Sequence, residues 1–244
     1  MVTGAGSGIG RSAALALAGD GFALVLAGRR MDRLEAVRDE IAAAGGEAMA
    51  CACDISDRGQ VEALFAASRA AFPRLDLLFN NAGIAPRPAN FGDTDPADWM
   101  NAIAINLTGA YLCAREAFRQ MRAQSPQGGR IINNGSISAH SPRPGSAAYT
   151  ASKHGMTGLT KAISLDGREY SIACGQIDIG NAATEMAVAM KEGVVQASGH
   201  VLAEPMIDLS VVAQSILHMA RLPLGANAQF LTIIATNMPF IGRG

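Results

Sequence analysis

The tightest constraint on this chain lies at its start. Thr3-Gly4-Ala5-Gly6-Ser7-Gly8-Ile9-Gly10 joins a short apolar stretch, residues 1–3, to a segment of helical spacing over about 9–18. Glycine permits a tight turn and a close approach of backbone that a Cβ would block. The N–H groups left unpaired at the start of the helix form a natural anion site. Spaced glycines alone are a weak signal, but between a strand and a helix they specify a βα turn shaped for a pyrophosphate. The competing reading is a tight turn that holds nothing.

The rest of the chain agrees with that start. Short apolar runs at 1–3, 22–27, 47–53, 75–80, 130–135, 172–178 and 229–235 alternate with helical segments at about 9–18, 32–44, 59–71, 96–124, 147–169 and 210–221. In the second helical segment Leu34, Val37 and Ile41 keep one face, and Gly45-Gly46 ends it. Strands alternating with helices predict an α/β fold: a doubly wound, Rossmann-type parallel β-sheet with helices on both faces. No repeat, charge block or low-complexity linker divides the chain, so 1–244 reads as a single dinucleotide-binding and catalytic domain. Segment 182–206 lacks a clean period and reads as a lid over a substrate. The first strand has only about three residues where a central one normally has more; either this strand is short, or native residues precede Met1.

Composition excludes several classes. A net charge of -1 provides no basic field for nucleic acid. No apolar run has the length to span a membrane, and the N-terminus has neither the basic head nor the apolar core of a secretory signal. The expectation is a cytoplasmic protein acting on a small molecule. Cys51 and Cys53 alternate on a predicted strand and read as buried thiols on one face. His140, His154, His200 and His218 share no ligand spacing, so no metal is expected.

The end of the second strand bears on the cofactor. Dinucleotide folds that bind NAD place a carboxylate there for the adenosine ribose. Here the sequence is Leu26-Ala27-Gly28-Arg29-Arg30, and the first acid is Asp32, inside the next helix. Guanidinium groups bind phosphate bidentately. Arg29 and Arg30 therefore favour NADP(H) over NAD(H). The alternative is that both are a solvated helix entry and NAD(H) is held by other contacts.

Tyr149-Thr150-Ala151-Ser152-Lys153 places a phenol and an ammonium one turn apart on a helix face. A phenol in water ionises only near pH ~10, and a neighbouring ammonium favours its ionised form. The motif is common by chance, and its weight comes from its company. Asn80-Asn81-Ala82-Gly83 follows the fourth strand, Asn106 lies in Ile105-Asn106-Leu107-Thr108-Gly109, and Ser136 stands thirteen residues before Tyr149. With the glycine turn, these resemble, in order and over nearly the whole chain, the short-chain dehydrogenase/reductase family in its single-domain form.

That resemblance implies an oxidoreductase moving a hydride between a nicotinamide cofactor and a carbonyl or secondary alcohol. Tyr149 is the implied general acid and base, and Ser136 holds the reacting oxygen. Lys153 binds the nicotinamide ribose and tunes the tyrosine. Asn106 holds a water through its backbone, completing a proton relay. Ser138 is a rival to Ser136, favoured less by spacing. For the cofactor, the resemblance assigns Gly4, Ser7, Ile9 and Gly10 to the pyrophosphate turn and Asp54 and Ile55 to the adenine. Asn80, Ala82 and Gly83 go to the adenosine ribose and its linkage, and Thr184 to the carboxamide. It also implies a homodimer or homotetramer.

Two departures stand out. Ile179-Gly180 replaces the family's Pro-Gly before the threonine. The tail after the last strand, with Asn237-Met238-Pro239-Phe240, replaces a glycine-rich end. Substrate identity is therefore not transferable from the family. The competing function is a catalytically silent dinucleotide-binding sensor or interaction protein, against which the complete Asn106, Ser136, Tyr149 and Lys153 set argues.

Overall fold

The computed structural model describes residues 1–184 and 193–241. Its strands β1 (Val2–Thr3), β2 (Leu24–Gly28), β3 (Ala48–Ala52), β4 (Leu77–Asn80), β5 (Gly129–Asn134), β6 (Ile172–Ile179) and β9 (Phe230–Ile233) form a seven-stranded sheet in the order β3-β2-β1-β4-β5-β6-β9. Every neighbouring pair in it is parallel. β7 (Val194–Val195) and β8 (Val201–Leu202) make a separate antiparallel hairpin.

Both faces of the sheet are buried, and strand alternation supplies both at once. Leu24 and Leu26 pack with Ala13, Ala14 and Leu17 of α1 (Gly8–Gly19), Leu34, Val37 and Ile41 of α2 (Met31–Ala43), and Val212 and Ile216 of a late helix, α7 (Leu209–Arg221). Val25 and Ala27 turn the other way, toward Val61, Leu64 and Phe65 of α3 (Arg58–Ala71) and Cys113, Ala114 and Ala117 of α5 (Ala110–Ala123). Cys51 and Cys53 belong to that second layer, sharing a face. The helices start where capping chemistry permits: the Asp57 side chain accepts the Gln60 N–H at α3, and Asp95 accepts from Ala97 ahead of Pro96 at α4 (Pro96–Ile103).

Two elements differ from the sequence expectation. The predicted helix over 96–124 is interrupted by a π-helical turn, Ala104–Gly109, between α4 and α5. Two contacts accompany it. The Asn106 side chain is drawn inward onto the backbone of Ile84, and Gly109 lies against Ile55, where a Cβ would meet Cγ1 at 2.8 Å. In the predicted lid, the described part, residues 182–184 and 193–206, contains the β7–β8 hairpin and a parallel bridge from Ala182 to Ile207. Residues 185–192 of that lid lie outside the described residues, as does the end of the tail, 242–244.

The first strand is two residues long yet central, pairing with β2 through Val2 and Thr3 and with β4 through Val2. The Met1 amine donates to the Leu77 carbonyl at 2.7 Å, and its burial lowers the amine pKa to about 5. From β1 the chain winds to one side through β2 and β3, and from β4 to the other through β5, β6 and β9. That reversal opens a crevice beyond the carboxyl ends of β1 and β4, where this topology takes a ligand.

Candidate active site

A cleft of about 970 Å³ occupies the crevice, and Gly4, Ser7, Ile9, Arg29, Arg30, Asp54, Ile55, Ala82, Gly83, Ser136, Tyr149, Lys153 and Thr184 all line it. It divides into two walls.

The first wall is mostly backbone. Gly4 has φ +66°, and a Cβ there would meet Ala82 Cα at 3.0 Å. Gly10 is not on the wall: it lets α1 sit on the turn, since a Cβ would meet the Gly4 carbonyl oxygen at 2.2 Å. Thr3 Oγ1 accepts from the N–H groups of Asn81 and Ala82 at 2.9 and 3.0 Å, which ties the end of β4 to β1. Ser7 is the extended residue ahead of α1 and makes no side-chain cap. Its Oγ accepts from Arg30 at 3.1 Å, so the second arginine already reaches the anion turn. Asp54 accepts from the Ser56 N–H at 3.0 Å and the Ser56 hydroxyl at 2.7 Å. These bonds hold its carboxyl below the usual range. Asn80 departs from its assigned place: its amide is buried, donating to the Ala110 carbonyl at 2.7 Å and to Asn133 Oδ1 at 3.2 Å. Asn81, with Gly6 and Gly8, faces the cleft instead. The signal for the glycines was in the turn itself, each alternate residue being a glycine.

The second wall carries side chains. Tyr149 and Lys153 project from α6 (Ala147–Asp166). The Lys153 ammonium donates to the Asn134 carbonyl at 2.7 Å and stands 5.5 Å from the centre of the Tyr149 ring. Ser136 follows β5, with its Oγ accepting the Ser138 N–H at 3.1 Å. That bond uses a lone pair and leaves the hydroxyl proton to donate elsewhere. Asn106 lies behind the wall: Oδ1 accepts the Ile84 N–H and Nδ2 donates to the Ile84 carbonyl, both at 2.8 Å, and Nδ2 also reaches Ser152 Oγ at 3.2 Å. Thr184 meets the glycine turn, its Cγ2 lying 3.1 Å from where a Gly8 Cβ would be.

Sequence reasoning missed two polar networks, one behind this wall and one that reaches the cleft through Arg143 and Asn181. Asp178, fully buried on β6, accepts the Ser136 N–H at 2.9 Å and is paired with His140 at 2.8 Å. Arg143 is paired with buried Glu204 and donates to Asn181 at 2.8 Å, while Gln196 donates to Glu204 at 2.9 Å. An acid inside the apolar run Ile177-Asp178-Ile179 was the available signal for the first. Among the described residues no group of three or more His, Cys, Asp or Glu could hold a metal ion, and no helix is long and apolar enough to cross a membrane.

This sheet, glycine turn and crevice define a Rossmann-like dinucleotide-binding architecture. The family model for short chain dehydrogenases matches residues 1–194, and the chain belongs to that family. It is 38% identical over 177 residues to a 3beta-hydroxysteroid dehydrogenase of Mediterraneibacter gnavus, a match covering 72% of this chain and 63% of that protein. It is 33% identical to a sulfoacetaldehyde reductase of Chromohalobacter salexigens, with 97% and 93% covered. A solved actinorhodin polyketide ketoreductase variant with NADPH superposes with a TM-score of 0.86 at 28% identity, covering 96% of this chain and 94% of that one. Other solved relatives carry NADP or NADH.

Proposed function

We propose that this protein is an NADP(H)-dependent carbonyl reductase or alcohol dehydrogenase with Tyr149 as its general acid and base. The observation that carries the reading is the convergence of Ser136, Tyr149 and Lys153 on one cleft with the glycine turn. The residues fit a dinucleotide: Gly4, at φ +66°, lets the glycine turn close against Ala82 beside the cleft, and Arg29 and Arg30 line the cleft at the end of β2, where a 2′-phosphate would lie. When bound, the nicotinamide supplies or accepts the hydride, which is the cofactor's own chemistry.

The protein's residues handle the proton and the oxygen. Ser136 donates a hydrogen bond to the substrate oxygen and steadies the charge developing there. Tyr149 gives its phenolic proton to that oxygen in reduction and takes it back in oxidation. Lys153, anchored by the Asn134 carbonyl, holds positive charge beside the phenol and binds the ribose hydroxyls. Asn106 fixes the loop after β4 through Ile84, and the π-helical turn around it suits a backbone carbonyl released to hold a relay water. Asp54 and Ile55 flank the adenine and Thr184 the carboxamide. Residues 86–95, 137–146 and the described parts of the lid, 182–184 and 193–195, frame the substrate. Exposed Trp99, Met100 and Tyr111 on α4 and α5 suit a homodimer or homotetramer.

The test is NADPH oxidation by the purified protein against a panel of ketones and aldehydes, including a β-keto ester, a 3-ketosteroid and sulfoacetaldehyde. Turnover with at least one, lost in Tyr149→Phe, is the expected result. Undiminished turnover in that variant refutes the mechanism. NADP(H) binding without turnover of any compound would instead favour a silent dinucleotide sensor.

A further inference from the structure

We infer that Asp178 and His140 are a positioning pair for Ser136, fixing where its hydroxyl meets the reacting oxygen. The inference rests on the role proposed above for Ser136.

Asp178 has no exposed surface, and a carboxylate without water must find donors inside the protein. It has three. Oδ1 accepts the Ser136 N–H at 2.9 Å and the Gln176 side-chain amide at 2.7 Å. Oδ2 meets His140 Nε2 at 2.8 Å. A carboxylate that is ionised only accepts, and Nε2 is then the donor in this pair. Neither Asp178 nor His140 lines the cleft; whatever they do for the reaction passes through Ser136.

The local geometry makes that route stiff. At Gly135 a Cβ would lie 2.0 Å from Asp178 Oδ1, so the carboxylate fills the side-chain space of the residue just before Ser136. Ser136 is extended, at φ −172° and ψ 153°, and opens the short 3-10 turn Ile137–Ala139. His140 closes that turn, its N–H donating to the Ile137 carbonyl at 3.0 Å. The carboxylate thus grips the turn at both ends, by the Ser136 amide and by the His140 ring. On its other side Gln176 donates to Thr157 Oγ1 at 3.0 Å and accepts from Thr160 Oγ1 at 3.1 Å. Both threonines belong to α6, which carries Tyr149 and Lys153. One buried carboxylate therefore ties the serine turn to the tyrosine helix.

The experiment is a double-mutant cycle on the full chain, with NADPH and whichever panel compound the wild type turns over fastest. Asp178→Ala is expected to lower kcat about 10- to 100-fold, the size of a ~1 Å misplacement of a reacting group, with KM changing far less. His140→Ala should lower kcat several-fold, and His140→Gln, which keeps a side-chain N–H donor, should recover part of it. In a Ser136→Ala background the same changes should have almost no further effect on kcat, because the group they position is gone. The Ser136 amide resonance in a 15N-labelled sample should move when Asp178 or His140 is replaced. Full, independent loss in the Ser136→Ala background, or unchanged kcat in both Asp178→Ala and His140→Ala, overturns the inference. If Asp178→Ala fails to fold, Asp178→Asn and His140→Ala complete the same cycle. An undamaged Ser136→Ala enzyme is a different result: it refutes the proposed role of Ser136 itself.

Discussion

The two walls of the cleft are built on different principles. The glycine-turn wall is largely backbone: glycines at 4, 6 and 8, N–H groups at the start of α1, and a Thr3 hydroxyl pinning the next strand end. The other wall is held by side chains far apart in sequence, with Arg143 bonded to Asn181 and Glu204 at separations of 38 and 61 residues. A backbone wall depends on which positions lack a Cβ and tolerates change elsewhere. A side-chain wall depends on each partner, because removing one takes a charge-assisted hydrogen bond from the other where little water can replace it.

The largest expected effect lies where the walls meet. Tyr149→Phe keeps the ring and removes only the hydroxyl. Turnover of the best panel ketone should fall about 10³- to 10⁴-fold, the upper range for general acid–base catalysis, while NADPH affinity by calorimetry stays within about threefold. A matching loss of NADPH binding would mean that Tyr149 serves cofactor binding and not the proton step alone.

Glu204→Ala should divide the walls next. The Arg143–Glu204 pair is almost wholly inaccessible on the acid side, with Glu204 at 1% side-chain exposure and Arg143 at 15%. Removing one partner of a buried pair typically costs about 3 kcal/mol or more. The loss should fall on the hairpin side of the cleft, raising KM for the carbonyl substrate and accelerating backbone amide exchange over 193–206. NADPH affinity should hold. Equal damage to cofactor binding would show that the walls are one unit.

Legibility in the sequence follows the same division. The glycine turn, the arginines after β2, and Tyr149 with Lys153 were readable because each lies within a few residues and uses a fixed period. Asn80 was misplaced because a motif names a residue without saying which way its side chain turns; here it turns inward to Asn133, directly opposite it in the sheet. Asp178 was passed over because its partners depend on the register of β5 against β6, where Asn134 faces Ile177. The π-helical turn at Asn106 was also invisible, since one extra residue in a turn barely disturbs the apolar period of a long helix.

Arg29→Asp bears on the backbone wall alone. A charge-assisted contact to a phosphate is worth about 1.5–3 kcal/mol, so the NADPH-over-NADH preference should fall about 10- to 100-fold in calorimetry. The kcat with saturating cofactor should stay close to wild type. Equal NADPH and NADH affinities in the wild type, unmoved by the substitution, would return the cofactor to NAD(H) and make Arg29 a solvated helix entry.

The smallest effect comes from Cys53, which lines the cleft yet belongs to the buried layer beneath β3. Burial, and to a lesser extent the neighbouring Asp54 carboxylate, pushes its thiol up to about 11. Below pH 9 the folded and unfolded chains both keep this proton, and the thiol adds no pH dependence. Between pH 9 and 11 the unfolded chain releases it while the folded chain holds it, so folding stability falls as pH rises. Cys53→Ser should therefore lose less stability than the wild type between pH 8.5 and 10.5 in urea titrations, by up to about 1.7 kcal/mol, given 1.36 kcal/mol for each full pKa unit. Iodoacetamide at pH 8 should label Cys53 far more slowly than a free thiol, because the thiolate is the reacting form. Rapid labelling would mean that this wall opens to solvent, and that the backbone half of the cleft is less rigid than the side-chain half.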